Sequence, residues 1–168
     1  MYPIKPISAS GVARALEKAE RYRLLNDPLA AESICLDVLE VEPDNQRALT
    51  MLLLARTDQF ASGVGAGVAE ARRPLSRLAG DYDRSYYAGV IAERKGKALL
   101  QEPGPGRAQM AYHHLREAME HYEKAAARRP AGNDDALLRW NTCARLLNAH
   151  PELEPTGEEE EFAPILGD

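Results

Sequence analysis

Proline, glycine and Asn-Asp turns recur along this chain at intervals that leave only helix-length segments between them, and this punctuation limits the fold more than any other feature. The breaks are Asn26-Asp27-Pro28, Pro43-Asp44-Asn45, Ala61-Ser62-Gly63, Gly80-Asp81, the run from Glu102 to Gly106, and Pro130-Ala131-Gly132. Between them apolar residues recur at helical spacing. Ala31, Ile34, Cys35, Val38 and Leu39 share one face of the second segment, and Ala111, Leu115, Ala118, Tyr122 and Ala125 share one face of the sixth. Aromatics are only 6%, and alanine and leucine outweigh valine and isoleucine, a mixture that favours helix over sheet. The expected fold is all-α with about seven helices. Ser10 is placed as the cap of the first, which runs to about Leu25, and the second follows from Leu29 to Glu42. The third runs from Gln46 to Phe60. The fourth, Val68 to Ala79, contains Pro74, which either kinks it or marks a late start. The rest are Asp83 to Gln101, Arg107 to Arg129, and Asp135 to Asn148, with Asn133 and Asp134 as candidate caps.

A chain of 168 residues with 45% apolar and 28% charged residues suits a single core. Its net charge of −5 is unevenly placed. From Ala149 onward there are seven carboxylates and no Lys or Arg, so residues 1–148 carry a slight positive excess. The expected organisation is an extended segment at 1–9, a helical domain at 10–148, and an acidic disordered tail at 149–168. No basic stripe points to nucleic acid, and no apolar run of roughly 18 residues points to membrane insertion. Residues 1–11 lack the apolar stretch of a secretory signal, so a cytoplasmic location is expected. Cys35 and Cys143 each lie within an apolar helical pattern and read as buried thiols rather than a disulfide.

The helix pairs also resemble one another. Ala31 lies twelve residues before Pro43, and Ala118, Tyr122 and Ala125 lie twelve, eight and five before Pro130. Ala19 and Tyr22 precede the first set, and Gly89 and Gly96 precede the second. This internal repeat resembles the tetratricopeptide repeat family, whose unit pairs two helices through small residues at a close crossing and ends on a proline. The resemblance implies a right-handed α-solenoid of antiparallel helix pairs, with units at about 10–44, 45–80 and 83–132 and a capping helix at 133–148. Cys35 stands where that family usually has an aromatic and Lys18 where it usually has leucine. The 48 residues from Asp83 to Pro130 exceed its standard unit. Independently of the name, one helix pair buries too little apolar surface to fold alone, whereas stacked pairs share a continuous layer. The last helix is then expected to cover the end of the stack with Trp140 inward and Arg139 and Arg145 outward.

Reactive chemistry is sparse in this sequence. His114, Glu117 and His121 fall on one helical face with His113 beside them, but a single helix supplies them all and i,i+4 charge pairing accounts for the same residues, so no metal or other cofactor is expected. Gly63 to Gly67 has the glycines of a phosphate-binding loop without the preceding strand that such a loop needs. Gly89 to Lys97 has the wrong spacing, and Ala98 stands where a magnesium-binding hydroxyl belongs. No serine or cysteine has a discernible histidine partner, so the chain is not expected to be an enzyme.

A binding surface remains. In the family that the repeat resembles, the first helix of each unit lines the concave side. The resemblance therefore implies a groove bearing Glu20, Arg23, Arg47, Thr50, Asp58, Tyr86, Glu93 and Arg94. Leu16, Glu20 and Met51 occupy the positions where some members grip a terminal carboxylate, so that clamp is not expected. The implied function is a protein-interaction module that captures a peptide or helix of another protein, with Tyr86 as an apolar anchor and the arginines fixing orientation. The alternative is a structural or oligomerising subunit, including a homo-oligomer, with no peptide groove. The run Glu158 to Glu161, followed by Phe162-Ala163-Pro164-Ile165-Leu166, joins acid to a short apolar patch that is suited to docking on a partner, to docking in the chain's own groove, or to solubility alone.

Overall fold

The computed structural model describes residues 2–62 and 67–155, and among these every regular element is helical. The α-helices are α1 (Val12–Leu24), α2 (Pro28–Val41), α3 (Gln46–Thr57), α4 (Val68–Arg72), α5 (Asp81–Gln101), α6 (Arg107–Ala126) and α7 (Asp135–Ala149). No described helix is long and apolar enough to cross a membrane.

Turn chemistry sets most helix starts. Pro28 occupies the first turn of α2, where its missing N–H costs nothing, and Asp27 Oδ1 accepts the Ala30 amide at 3.2 Å. Asn26, at φ 59°, takes the left-handed conformation that its short polar side chain tolerates. Asn45 caps α3 by accepting the Ala48 amide at 2.9 Å, and Asn133 accepts the Asp135 amide at 3.0 Å beside the start of α7. Ser10 does not cap. It lies inside a 3-10 turn, Ala9–Gly11, with its hydroxyl against Ser8 Oγ at 3.2 Å, and Gly11 precedes α1 instead.

The expected fourth helix is two pieces. After the five residues of α4 the backbone tightens into a 3-10 turn, Arg73–Arg77, around the buried Pro74. Proline removes a donor and crowds the preceding turn, so the α-ladder is not continued through it. Gln46 fastens the far end of this piece to α3, accepting the Ala79 amide at 2.8 Å and donating to the Arg77 carbonyl at 3.2 Å. The third helix likewise stops at Thr57 and gives way to a 3-10 turn, Phe60–Ser62, that buries Phe60. Gly63 to Ala66 of the expected glycine loop lie outside the described residues.

Successive helices pack on one another, α1 on α2, α2 on α3, α5 on α6 and α6 on α7, while α4 and its 3-10 turn bridge α3 to α5. Ala19, Ala31, Cys35 and Val38 are fully buried among α1 to α3, and Ala118, Tyr122, Ala125 and Cys143 among α5 to α7. Tyr87 packs against both clusters and against a third around Leu53, Phe60 and Ile91. The packing extends past the expected limit at 148. Leu153, in a 3-10 turn after α7, is buried, whereas residues 156–168 of the expected tail lie outside the described residues.

The α5–α6 crossing depends on missing side chains. A Cβ on Gly89 would lie 2.6 Å from the Tyr122 ring, and one on Gly96 would lie 3.0 Å from Leu115 and 3.1 Å from the Ala111 carbonyl. Glycine therefore lets a tyrosine lie directly on the α5 backbone. Gly89→Ala gains up to about 1 kcal/mol of helix propensity and forces the Tyr122 ring aside at about 1–3 kcal/mol. A net loss of stability is expected in urea denaturation, and an unchanged or raised midpoint would show that the crossing does not need the glycine.

Candidate functional site

The polar residues expected to line a groove come from α1, α3 and α5, and the structure brings them together in three groups. Arg47 of α3 pairs with Glu20 of α1 at 3.0 Å, both well exposed, an arrangement worth little in water. Arg23 of α1 meets Asp58 Oδ2 at 2.7 Å, and Arg94 of α5 meets the other oxygen of the same carboxylate. Arg94 also donates to Thr57 Oγ1 at 2.7 Å and to the Leu54 carbonyl at 3.3 Å. Asp58, just past the end of α3, thus ties α1 to α5. Burial pulls the Arg94 guanidinium below its usual range, Asp58 opposes that pull, and the neighbouring charges of Arg23 and Arg139 add to it.

Glu93 is the third centre. Its carboxylate is 2% exposed, although it was expected on the groove surface. Tyr122 O–H and Lys97 Nζ each donate to it at 2.5 Å, and Arg139 of α7 donates at 3.0 Å. Arg139 was expected to face outward. Instead it turns inward, donating also to Tyr86 O–H at 2.9 Å with its guanidinium 5.8 Å from the ring centroid. Burial alone would raise the Glu93 carboxyl, but the hydrogen bonds from Lys97 and Tyr122 and the charge of Arg139 outweigh it and hold the group below 4.5. The Tyr122 hydroxyl is pushed far up by burial and by its acceptor Glu93.

Tyr86 is half-buried, stacked on Tyr82 at 5.7 Å and edge-on to Tyr87 at 5.1 Å. Two open hollows flank Lys97. One, about 200 Å³, is lined in part by Asp58, Phe60, Arg94 and Gln101, and the other, about 370 Å³, by Tyr86, Arg139, Leu138 and Thr142. Lys97, Arg139 and Leu138 were absent from the expected groove. The i,i+4 spacing of Glu93 and Lys97 was visible in sequence, whereas Arg139 depended on how α7 is rotated.

The histidine group forms around Glu117, which His114 Nδ1 approaches at 3.2 Å and His121 Nε2 at 3.8 Å, with Arg72 of α4 on the same carboxylate. These donors, the histidines first, hold the Glu117 carboxyl far below its usual range. Among the described residues no three His, Cys, Asp or Glu are arranged to hold a metal ion. Cys35 and Cys143 are buried, and burial pushes both thiols up to about 12, so neither is a ready nucleophile. Comparison with family models, with curated proteins and with solved structures finds no match.

Glu93→Ala leaves the Tyr122 hydroxyl and the Arg139 guanidinium without their acceptor and is expected to cost about 3–5 kcal/mol in urea denaturation. Because the folded carboxyl titrates below its ordinary value near 4.5, its stabilisation is present above that pH and is lost as pH falls through the lower folded value. Glu93→Gln should therefore flatten part of the acid limb of a stability–pH profile, with Glu117 retaining the remainder. An unaltered limb would mean that Glu93 contributes no linkage.

Proposed function

We propose that this chain is a non-catalytic protein-interaction module that holds a peptide or helix of a partner against the face shared by α1, α3, α5 and α7. The observation that carries this reading is the pair of hollows on either side of Lys97, set in a surface whose charged groups are already fixed by one another. Prearranged side chains lose little freedom on binding, which favours capture of an extended segment. Tyr86 and Leu138 supply apolar surface in the larger hollow, while Lys97 and Arg94 retain partial exposure for polar contacts. Glu93 serves the surface from beneath.

The reading includes a solenoid of tetratricopeptide-like units. It is supported by the fully buried Ala19, Ala31, Ala118 and Ala125 at helix contacts and by Gly89 and Gly96 of α5, which admit Tyr122 and Leu115. It includes a cytoplasmic setting, with which two buried free thiols agree. The alternative, an oligomerising subunit, is supported by Leu24, Leu25 and Leu29, which are 82%, 69% and 61% exposed around the α1–α2 turn.

Leu138 is 62% exposed, so Leu138→Asp alters the larger hollow without disturbing the core. Proteins retained from a lysate by the wild-type chain should be lost with this variant and kept with Lys124→Gln, a change on the outer face of α6. Equal retention by all three removes the surface from consideration. A mass that rises with concentration, and falls again when Leu24 and Leu25 are replaced by serine, would favour the oligomerising alternative.

A further inference from the structure

A further hollow lies elsewhere, in a trough of about 690 Å³ between α6 and α7. Tyr112, Arg116 and Met119 form one wall, Trp140, Ala144 and Leu147 the other, and Glu154 closes one end. Trp140 was expected to be packed inward. It is only half-buried, lining the trough while its Nε1–H donates to Glu123 at 3.0 Å. α7 packs against α6, and among the described residues a short 3-10 turn, Pro151–Leu153, follows it.

That turn already directs the chain into the trough. Leu153 is buried, and Tyr112 O–H donates to Glu154 at 3.4 Å on the rim. The described chain therefore reaches Pro155 beside a trough whose walls mix apolar side chains with Arg116, Asn148 and His150. The sequence that follows contains Glu158 to Glu161 and then Phe162-Ala163-Pro164-Ile165-Leu166. Arg116 in the trough wall forms no ion pair with any described residue, and Arg145 on α7 likewise forms none. From Leu147 to Trp140 the wall runs seven residues of helix, about 10 Å, a distance well within the extended reach, about 20 Å, of the six residues between Pro155 and Phe162.

We propose that the acidic–apolar segment of this same chain, Glu158 to Leu166, docks in the α6–α7 trough, with Phe162 and Ile165 or Leu166 against Met119, Trp140 and Leu147 and the glutamates beside Arg116. Tethering favours this occupant over an outside one, because a short linker holds the segment at an effective concentration of about millimolar, so weak contacts suffice. The groove arginines Arg23, Arg47 and Arg94 are already paired with Glu20 and Asp58, whereas Arg116 in the trough wall is an unpaired cation among the described residues. This inference concerns a different surface from the proposed partner face and stands or falls apart from it.

Trp140 is the only tryptophan, so intrinsic fluorescence reports on the trough directly. The full-length wild type is compared with full-length variants carrying Phe162→Ser, Ile165→Ser and Leu166→Ser together, or Arg116→Gln alone. Docking predicts that the triple variant emits at longer wavelength and is quenched by acrylamide about twofold more steeply, with Arg116→Gln falling between the two. It also predicts that a synthetic peptide of residues 157–166, at about millimolar concentration, returns the triple variant toward the wild-type spectrum, and that its glutamate-to-glutamine counterpart does so less well. Superimposable quenching of wild type and triple variant, with no response to the peptide, overturns the proposal. Protection in the wild type that disappears on about hundredfold dilution overturns it in favour of a second copy's segment. Neither result depends on whether Leu138→Asp affects partner capture.

Discussion

The buried carboxylate of Glu93 is the interaction on which much of the rest depends. It accepts from Tyr122 on α6, from Lys97 on its own helix and from Arg139 on α7, so one group holds three helices in register. A charge at 2% exposure is tolerable only when its donors are this close and this well fixed. Gly89 makes the arrangement possible, since any side chain there would occupy the volume of the Tyr122 ring. The orientation of Arg139, and through it of Tyr86, follows from the same carboxylate.

Asp58 plays the corresponding part at the other half of the molecule. By accepting from Arg23 and Arg94 at once, it joins α1 to α5 across the end of α3. The segment between α3 and α5 needs such help, because Pro74 prevents a full-length helix there and leaves a short helix and a 3-10 turn instead. Gln46 and Arg56 supply the missing attachment through side chains, Arg56 bonding Glu32 at 2.8 Å and the Glu70 carbonyl at 2.8 Å. These polar clamps act beside the buried Ala71, Pro74 and Leu78 in holding the segment to the core.

Much of the fold was legible in the sequence because its signals are local. Proline position, asparagine and aspartate caps and helical spacing located the long helices to within a few residues, and the paired alanines marked the buried contacts. Ser10 misled because a hydroxyl caps only where the backbone turns directly into the α-helix, and here a 3-10 turn intervenes. The polar residues of α1, α3 and α5 were expected on one face, and several of them pair with one another, Arg47 with Glu20 and both Arg23 and Arg94 with Asp58. Their state was not legible. Glu93 is buried, Arg139 points inward, and Lys97 stands between two hollows, and each of these depends on a neighbour far away in sequence.

The sequence by itself determined that the chain is helical, where most helices begin, which small residues face partners and where the acidic charge is concentrated. Those properties follow from backbone sterics, turn chemistry and residue period, which act within a few positions. Only the tertiary structure decided which charges are bound to one another and which remain available, how far Trp140 is covered, and where open surface lies. Burial and ion pairing are properties of the space between helices, and that space exists only once distant segments have packed.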